Sequence, residues 1–206
     1  VSAEGLHGYP VDDPDPGPRA IAVGSWVAAG AVIFFAFAFV FAFLYLRSWN
    51  SNGRWNAGGD ALSMPISAAL LVMAIVACLV MWAGGRRYAR LHDDGPLRRF
   101  GWLAAVLLLA MGVLRIVLLA TMGFQPTGGG YASVAVSWTL AFVGLDLVLA
   151  YWAATVVQGA RHAEPAGDGE TPRRAHVVQS ALGCGLVLSI VAVIELLAFW
   201  MLAVLH

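Results

Sequence analysis

Lysine is absent from the 206-residue sequence: all twelve basic residues are arginine, and twelve acidic residues balance them to a formal net charge of zero. We read the missing lysine as a bias of composition, and the zero balance gives no sign of a nucleic-acid partner. Charge of either sign is scarce, at 12% of residues against 60% apolar ones and a mean hydropathy of +0.78. A soluble domain of this size would not carry so little charge, so the composition is that of an integral membrane protein. Cysteine is nearly missing as well. Cys78 and Cys184 fall in apolar runs without paired spacing, which argues for packing residues and against a disulfide or metal site.

Catalytic signatures are absent too. His7, His92, His162 and His176 lie in the tail, the loops or a helix edge, and His206 is the last residue. No apolar run therefore carries an interior histidine to ligate haem or copper. There is no His-Glu-x-x-His helix, no phosphate-binding Gly-rich loop and no spacing fit for Ser-His-Asp chemistry. The opening stretch "VSAEGLHGYPVDDPDPGPRA" is acidic and rich in Pro and Gly, without the basic-then-apolar order of a removable signal. It reads as an extramembrane arm over residues 1–19, lying on the surface or disordered.

What the chain does have is long continuous apolar runs. A bilayer core about 30 Å thick needs roughly 20 apolar residues in a helix. Five segments qualify, at about 20–46, 66–85, 101–124, 132–159 and 176–206. The runs are continuous and do not alternate with period two, so the expected fold is all-α, a five-helix transmembrane bundle over residues 20–206. Pro65 suits the start of the second helix. "RRYARLHDDGPLRR" joins the second and third spans, and "QPTGGG" is a tight turn before the fourth.

Orientation follows from the arginines. The second connection holds Arg86, Arg87, Arg90, Arg98 and Arg99, and the fourth holds Arg161, Arg173 and Arg174, whereas the opposite connections hold only Arg47 and Arg54. Excess positive charge marks the cytoplasmic side, so the N-terminus is expected in the cytoplasm and the C-terminus outside. Trp49, Trp55, Tyr88, Trp102 and Tyr131 fall near expected helix ends, where an aromatic ring with a polar tip suits the interface.

Three ionisable residues interrupt the apolar runs: Arg115, Asp146 and Glu195. A charge at mid-membrane costs about 2.5–3.5 kcal/mol even on the milder insertion scales, so each must pair, face the bundle interior or reach water. Arg115 and Asp146 sit at similar depth in neighbouring antiparallel spans, which makes them the expected pair. Glu195 lies about five residues deeper by the same count and matches less well. A register-fixing or interface role outweighs an ion path, because no second carboxylate stands one turn from either acid. Elsewhere, "GCG" at 183–185 and "AAGAV" permit close helix approach. The first run, "FFAFAFVFAF", spreads its phenylalanines around most of a helix. Phe34, Phe35 and Phe37, with Trp138 and Trp152, are candidates for lipid or subunit contact.

Three stretches together resemble the short, five-helix bacterial form of haem-copper (cytochrome c) oxidase subunit III. "FFAFAFVFAFLYLRS" looks like that family's Phe-rich opening helix. "YASVAVSWTLAFVGLDLVLAYW" looks like its Tyr-Gly-Ser entry and Phe-His-Gly-Leu-His helix, and Glu195 with "LLAFWMLAVLH" looks like its acidic last span. The chain departs from the pattern at Ala31, where the family has a glutamate. It departs again at Val143 and Asp146, where the family has histidines, and at Val191, Ala192 and Val193, where it has Trp-His-Phe. The resemblance implies a non-catalytic accessory subunit of a respiratory terminal oxidase in the bacterial plasma membrane. No redox centre would lie in this chain; haem and copper would sit in a partner subunit, with phospholipid bound beside it. Such a subunit stabilises the catalytic one and supports proton uptake in aerobic electron transport. The alternative, from the residues alone, is a small transporter or channel component with Arg115, Asp146 and Glu195 on an ion path.

Overall fold

The computed structural model describes residues 17–50, 53, 55–56, 62–91, 94–123, 125–162 and 172–205. Among these residues the chain is all-α, with no strand and five helices long and apolar enough to cross a membrane. They are α1 (Gly17–Ser48), α2 (Met64–Leu91), α3 (Asp94–Thr121), α4 (Gly130–Arg161) and α5 (Pro172–Ala198). The last continues as a π-helical turn over Phe199–Val204. The chain is thus a multi-pass membrane protein. His7, His92, His206, Arg54, Phe124 and residues 1–16 of the expected arm lie outside the described residues.

Every expected span is present, but the helices outrun their apolar runs. Residues 86–91 continue α2, and α3 begins at Asp94, seven residues before the apolar run. The supposed second loop is therefore mostly helix. Arginine and leucine are good helix formers, Asp94 lies in the first turn of α3 where the helix dipole favours an acid, and Pro96 needs no donor there. At its other end α3 stops at Thr121, short of the expected residue 124. "QPTGGG" contains a 3₁₀ turn at Pro126–Gly128, followed by Gly129 at φ 153°, a conformation that favours glycine.

α3 packs chiefly between α2 and α4, α2 also against α5, and α1 mainly against α5. Half of the most apolar stretch of α5 is buried against 17% of that of α1, so α5 is the central helix and α1 the peripheral one. Between apolar helices in lipid, close packing does most of the holding, and small residues allow it. A β-carbon at Gly183 would overlap the Ser25 hydroxyl, and one at Gly185 would lie 3.2–3.3 Å from the Trp82 indole. The "GCG" signal thus marks the contacts of α5 with α1 and α2, with Cys184 buried between them and free. In "AAGAV", by contrast, Gly30 has open space beside it.

The aromatic residues divide. Trp49 and Trp102 are exposed, whereas Trp55, Tyr88 and Tyr131 are buried against the bundle. Trp55 packs edge-on against Phe43 and Tyr131, at 5.0 and 5.9 Å between ring centres. Its carbonyl accepts from the Tyr131 backbone N–H at 3.0 Å. Trp55 therefore packs over the end of the bundle opposite the arginine-rich connections. At the arginine-rich end, Arg86 stands over Trp82 (4.9 Å), Arg87 over Phe100, Arg161 over Trp102 and Arg174 over Tyr88. Stacking on aromatic faces holds these cations against the bundle.

Candidate functional site

Side chains on a helix tilt toward its N-terminus. α3 and α5 start at the arginine-rich end and α4 starts at the other, so Arg115 and Glu195 lean one way and Asp146 leans to meet them. All three are buried, at 2%, 4% and 0% relative exposure. Arg115 Nε donates to Asp146 Oδ2 at 2.8 Å, and Arg115 Nη2 donates to Glu195 Oε1. The expected Arg115–Asp146 pair is thus present, and Glu195, the expected poorer match, joins it. Counted from Asp94 and Pro172, where the helices actually begin, Arg115 and Glu195 lie 21 and 23 residues in. The five-residue offset came from counting apolar runs, and the long arginine side chain spans what is left of it.

An aromatic wall closes one side. The guanidinium carbon stands 5.2 Å from the centre of the Phe142 ring. Phe142 stacks on Trp138 at 4.7 Å, and Phe39 meets Trp138 edge-on at 5.4 Å. A desolvated cation over an aromatic face gains about 2 kcal/mol or more. Trp138 is therefore an interior residue at 3% exposure, a correction to its placement among the candidates for outward contact. Its spacing held the reason: residues 135, 138, 142, 146 and 149 form one face of α4, and that face is buried. Trp152 is half-buried, its Nε1 donating to Ser180 Oγ on α5 at 2.9 Å. Phe34, Phe35 and Phe37 do face outward, at 80%, 43% and 64% exposure.

Beside the triad lies a cavity of about 20 Å³, walled by Ser67, Arg115, Trp138, Thr139, Glu195 and Phe199 among others. Sequence reasoning missed Ser67, Thr139 and Phe142. Thr139 and Phe142 were within reach of the α4 spacing, but no residue pattern announces Ser67. The Ser67 hydroxyl and the Trp138 indole N–H are buried without a hydrogen-bond partner, as is Asp146 Oδ1. Two carboxylates face one guanidinium, so the fully ionised triad carries one net negative charge. Among the described residues no three His, Cys, Asp or Glu side chains gather as a metal site.

No protein-family profile matches the chain, and no curated protein does. A second feature is an apolar groove of about 300 Å³ on the outer surface between α1 and α5. Ile33, Phe37, Val40, Ile190, Val193 and Leu197 line it. The one hydroxyl at its wall, on Ser189, donates to the Gly185 carbonyl and accepts from Trp82 Nε1, at 2.8 and 2.9 Å, which leaves the groove surface apolar.

Proposed function

We propose that this chain is a non-catalytic accessory subunit of a bacterial respiratory terminal oxidase, seated in the plasma membrane with its arginine-rich end in the cytoplasm. Haem and copper belong to the partner subunits, and this chain stabilises the catalytic one and holds phospholipid against it. The observation that carries the reading is the outer face of α1, whose Phe34, Phe37 and Phe41 stand 64–80% exposed beside the apolar groove. A helix this peripheral, bearing large aromatic rings, is suited to pack on lipid chains and a neighbouring subunit together. The five-helix architecture and the resemblance in the first, fourth and fifth spans agree with it.

The triad serves this role as a lock between α3, α4 and α5, since a one-turn slip of any of them would strand a charge in the bundle. Ala31, in place of the family's glutamate, is on the exposed side of α1. Support of proton uptake at that position is therefore not part of the proposal, while scaffolding and lipid holding remain. In a strain lacking the chain, the oxidase is expected to start at normal turnover and lose activity faster during catalysis. An unchanged amount and an unchanged lifetime of the oxidase would refute the role. The ion-path alternative would be favoured by a haem-free preparation, stable as its own oligomer, that conducts ions in vesicles.

A further inference from the structure

The cavity next to the triad lies near the end of the bundle opposite the arginines. Ser67 is one turn inside the start of α2, Leu118 one turn from the end of α3, and Leu62, two residues before α2, also lines the cavity. Its volume, about 20 Å³, is that of a single water, which needs about 10–15 Å³ of such space and two to four polar partners. The partners are there. Ser67 Oγ and Trp138 Nε1 are both buried and otherwise unpartnered, and the cavity wall includes Glu195 and Arg115.

The room comes from the backbone. Ala198 and Phe199 border the cavity where α5 gives way to the π-helical turn Phe199–Val204. A π turn widens the helix and breaks its bonding pattern, and such turns recur at functional sites. Here Tyr131 secures it. Its hydroxyl donates to the Leu202 carbonyl at 2.6 Å and accepts from the Leu62 N–H at 3.0 Å.

The donors and acceptors decide what fits. A metal cation would meet the Arg115 guanidinium and the Trp138 N–H, both donors, which repel it. Water accepts from Trp138 Nε1 and donates to a carboxylate, and it suits Ser67 Oγ in either sense. The surrounding charges are few. α3 contributes Arg115, α4 Asp146 and α5 Glu195, while α2 faces the cavity with Ser67 and Leu70 and brings no charge. An uncompensated negative charge in a low-dielectric bundle is costly, and one proton removes it.

We propose that this cavity is a built site for one water molecule, and that the water and the triad together bind one exchangeable proton. The water accepts an incoming proton on its oxygen as one of its own O–H protons passes to a carboxylate oxygen of the triad, so it stays neutral throughout, and the reverse transfer releases the proton toward the end where Leu62 and Tyr131 lie. The site is a proton store, independent of which partner the chain has.

The test uses the full-length chain in phospholipid nanodiscs, followed by infrared difference spectroscopy on stepping the pH and on exchange into D₂O. The wild type is expected to show a protonated-carboxyl C=O band that shifts in D₂O, and to take up one proton per chain more than the Glu195→Gln variant. Glu195→Gln keeps the shape and the acceptor to Arg115 and is expected to lose the band and the uptake. Ser67→Ala is expected to keep the band but move its frequency, through loss of a partner to the water. Thermal unfolding of each variant establishes that it is folded. No protonated-carboxyl band in the folded wild type, or a band unchanged in folded Glu195→Gln, would overturn the proposal. So would a band indifferent to both D₂O and Ser67→Ala, which would mean a dry site.

Discussion

Replacing Arg115 with leucine removes one side chain and strands two. Arg115 donates to Asp146 Oδ2 and to Glu195 Oε1, and these acids have side-chain exposures of 0% and 5%. Breaking a buried ion pair by deleting one partner costs about 3–5 kcal/mol, because the other charge is left uncompensated. Arg115→Leu leaves two such acids and also removes the cation from the Phe142 face, so the upper part of that range is expected. The triple variant Arg115→Leu, Asp146→Leu, Glu195→Leu leaves no stranded charge. Replacing a buried ionic cluster with apolar residues of similar volume is often neutral or stabilising by about 1–4 kcal/mol. The triple variant is therefore expected to recover most of what the single one loses, a strongly non-additive outcome. The assay is equilibrium unfolding in mixed micelles by titration with a denaturing detergent, read by tryptophan fluorescence, since Trp138 lies in the wall of the site. A single variant within about 1 kcal/mol of wild type would refute the reasoning, and so would a triple variant no more stable than the single one.

Tyr131→Phe leaves the Leu62 N–H and the Leu202 carbonyl unpaired and should cost about 1–3 kcal/mol, with faster amide exchange at residues 202–205 than in wild type. Gly101→Val would drive a side chain into Val157 at the α3–α4 contact and should cost about 1–3 kcal/mol in the same unfolding assay. Gly144→Ala, with nothing within 4 Å of its added carbon, should be neutral or stabilising by up to about 1 kcal/mol. Orientation is checked in a background of Cys78→Ala and Cys184→Ala. A membrane-impermeant maleimide on whole cells should label Gln125→Cys and spare Arg98→Cys, and the reverse pattern would invert the topology. Val193→Trp should fill the groove between α1 and α5 and lower the phospholipid retained on purification, measured by mass spectrometry.

The bundle was legible because hydropathy reports burial in lipid directly: each run of apolar residues became a helix across the membrane. Helix ends were less so, because Arg86, Arg87 and Arg90 extend α2 as good helix formers while looking like loop by hydropathy. That error carried into the site. Depths counted from the apolar runs matched Arg115 to Asp146 and pushed Glu195 away, whereas depths counted from the true starts bring Arg115 and Glu195 nearly level, at 21 and 23 residues. By sequence Trp138 is a candidate for lipid or subunit contact, although its position on the Asp146 face of α4 makes it interior. The cavity was beyond reach. Ser67 is an ordinary serine early in a helix, and nothing in "FWMLAV" distinguishes a π turn from an α-helical one; only packing against Tyr131 does so.

The central claim is that this chain works beside a redox subunit while holding no redox centre of its own. The most direct measurement is purification through a tag on this chain in a gentle detergent, followed by a reduced-minus-oxidised optical spectrum. Haem bands that co-elute with the tagged chain at a fixed ratio are the predicted result. A pure, stable, haem-free preparation would contradict the account and bring the ion-path reading of Arg115, Asp146 and Glu195 to the front.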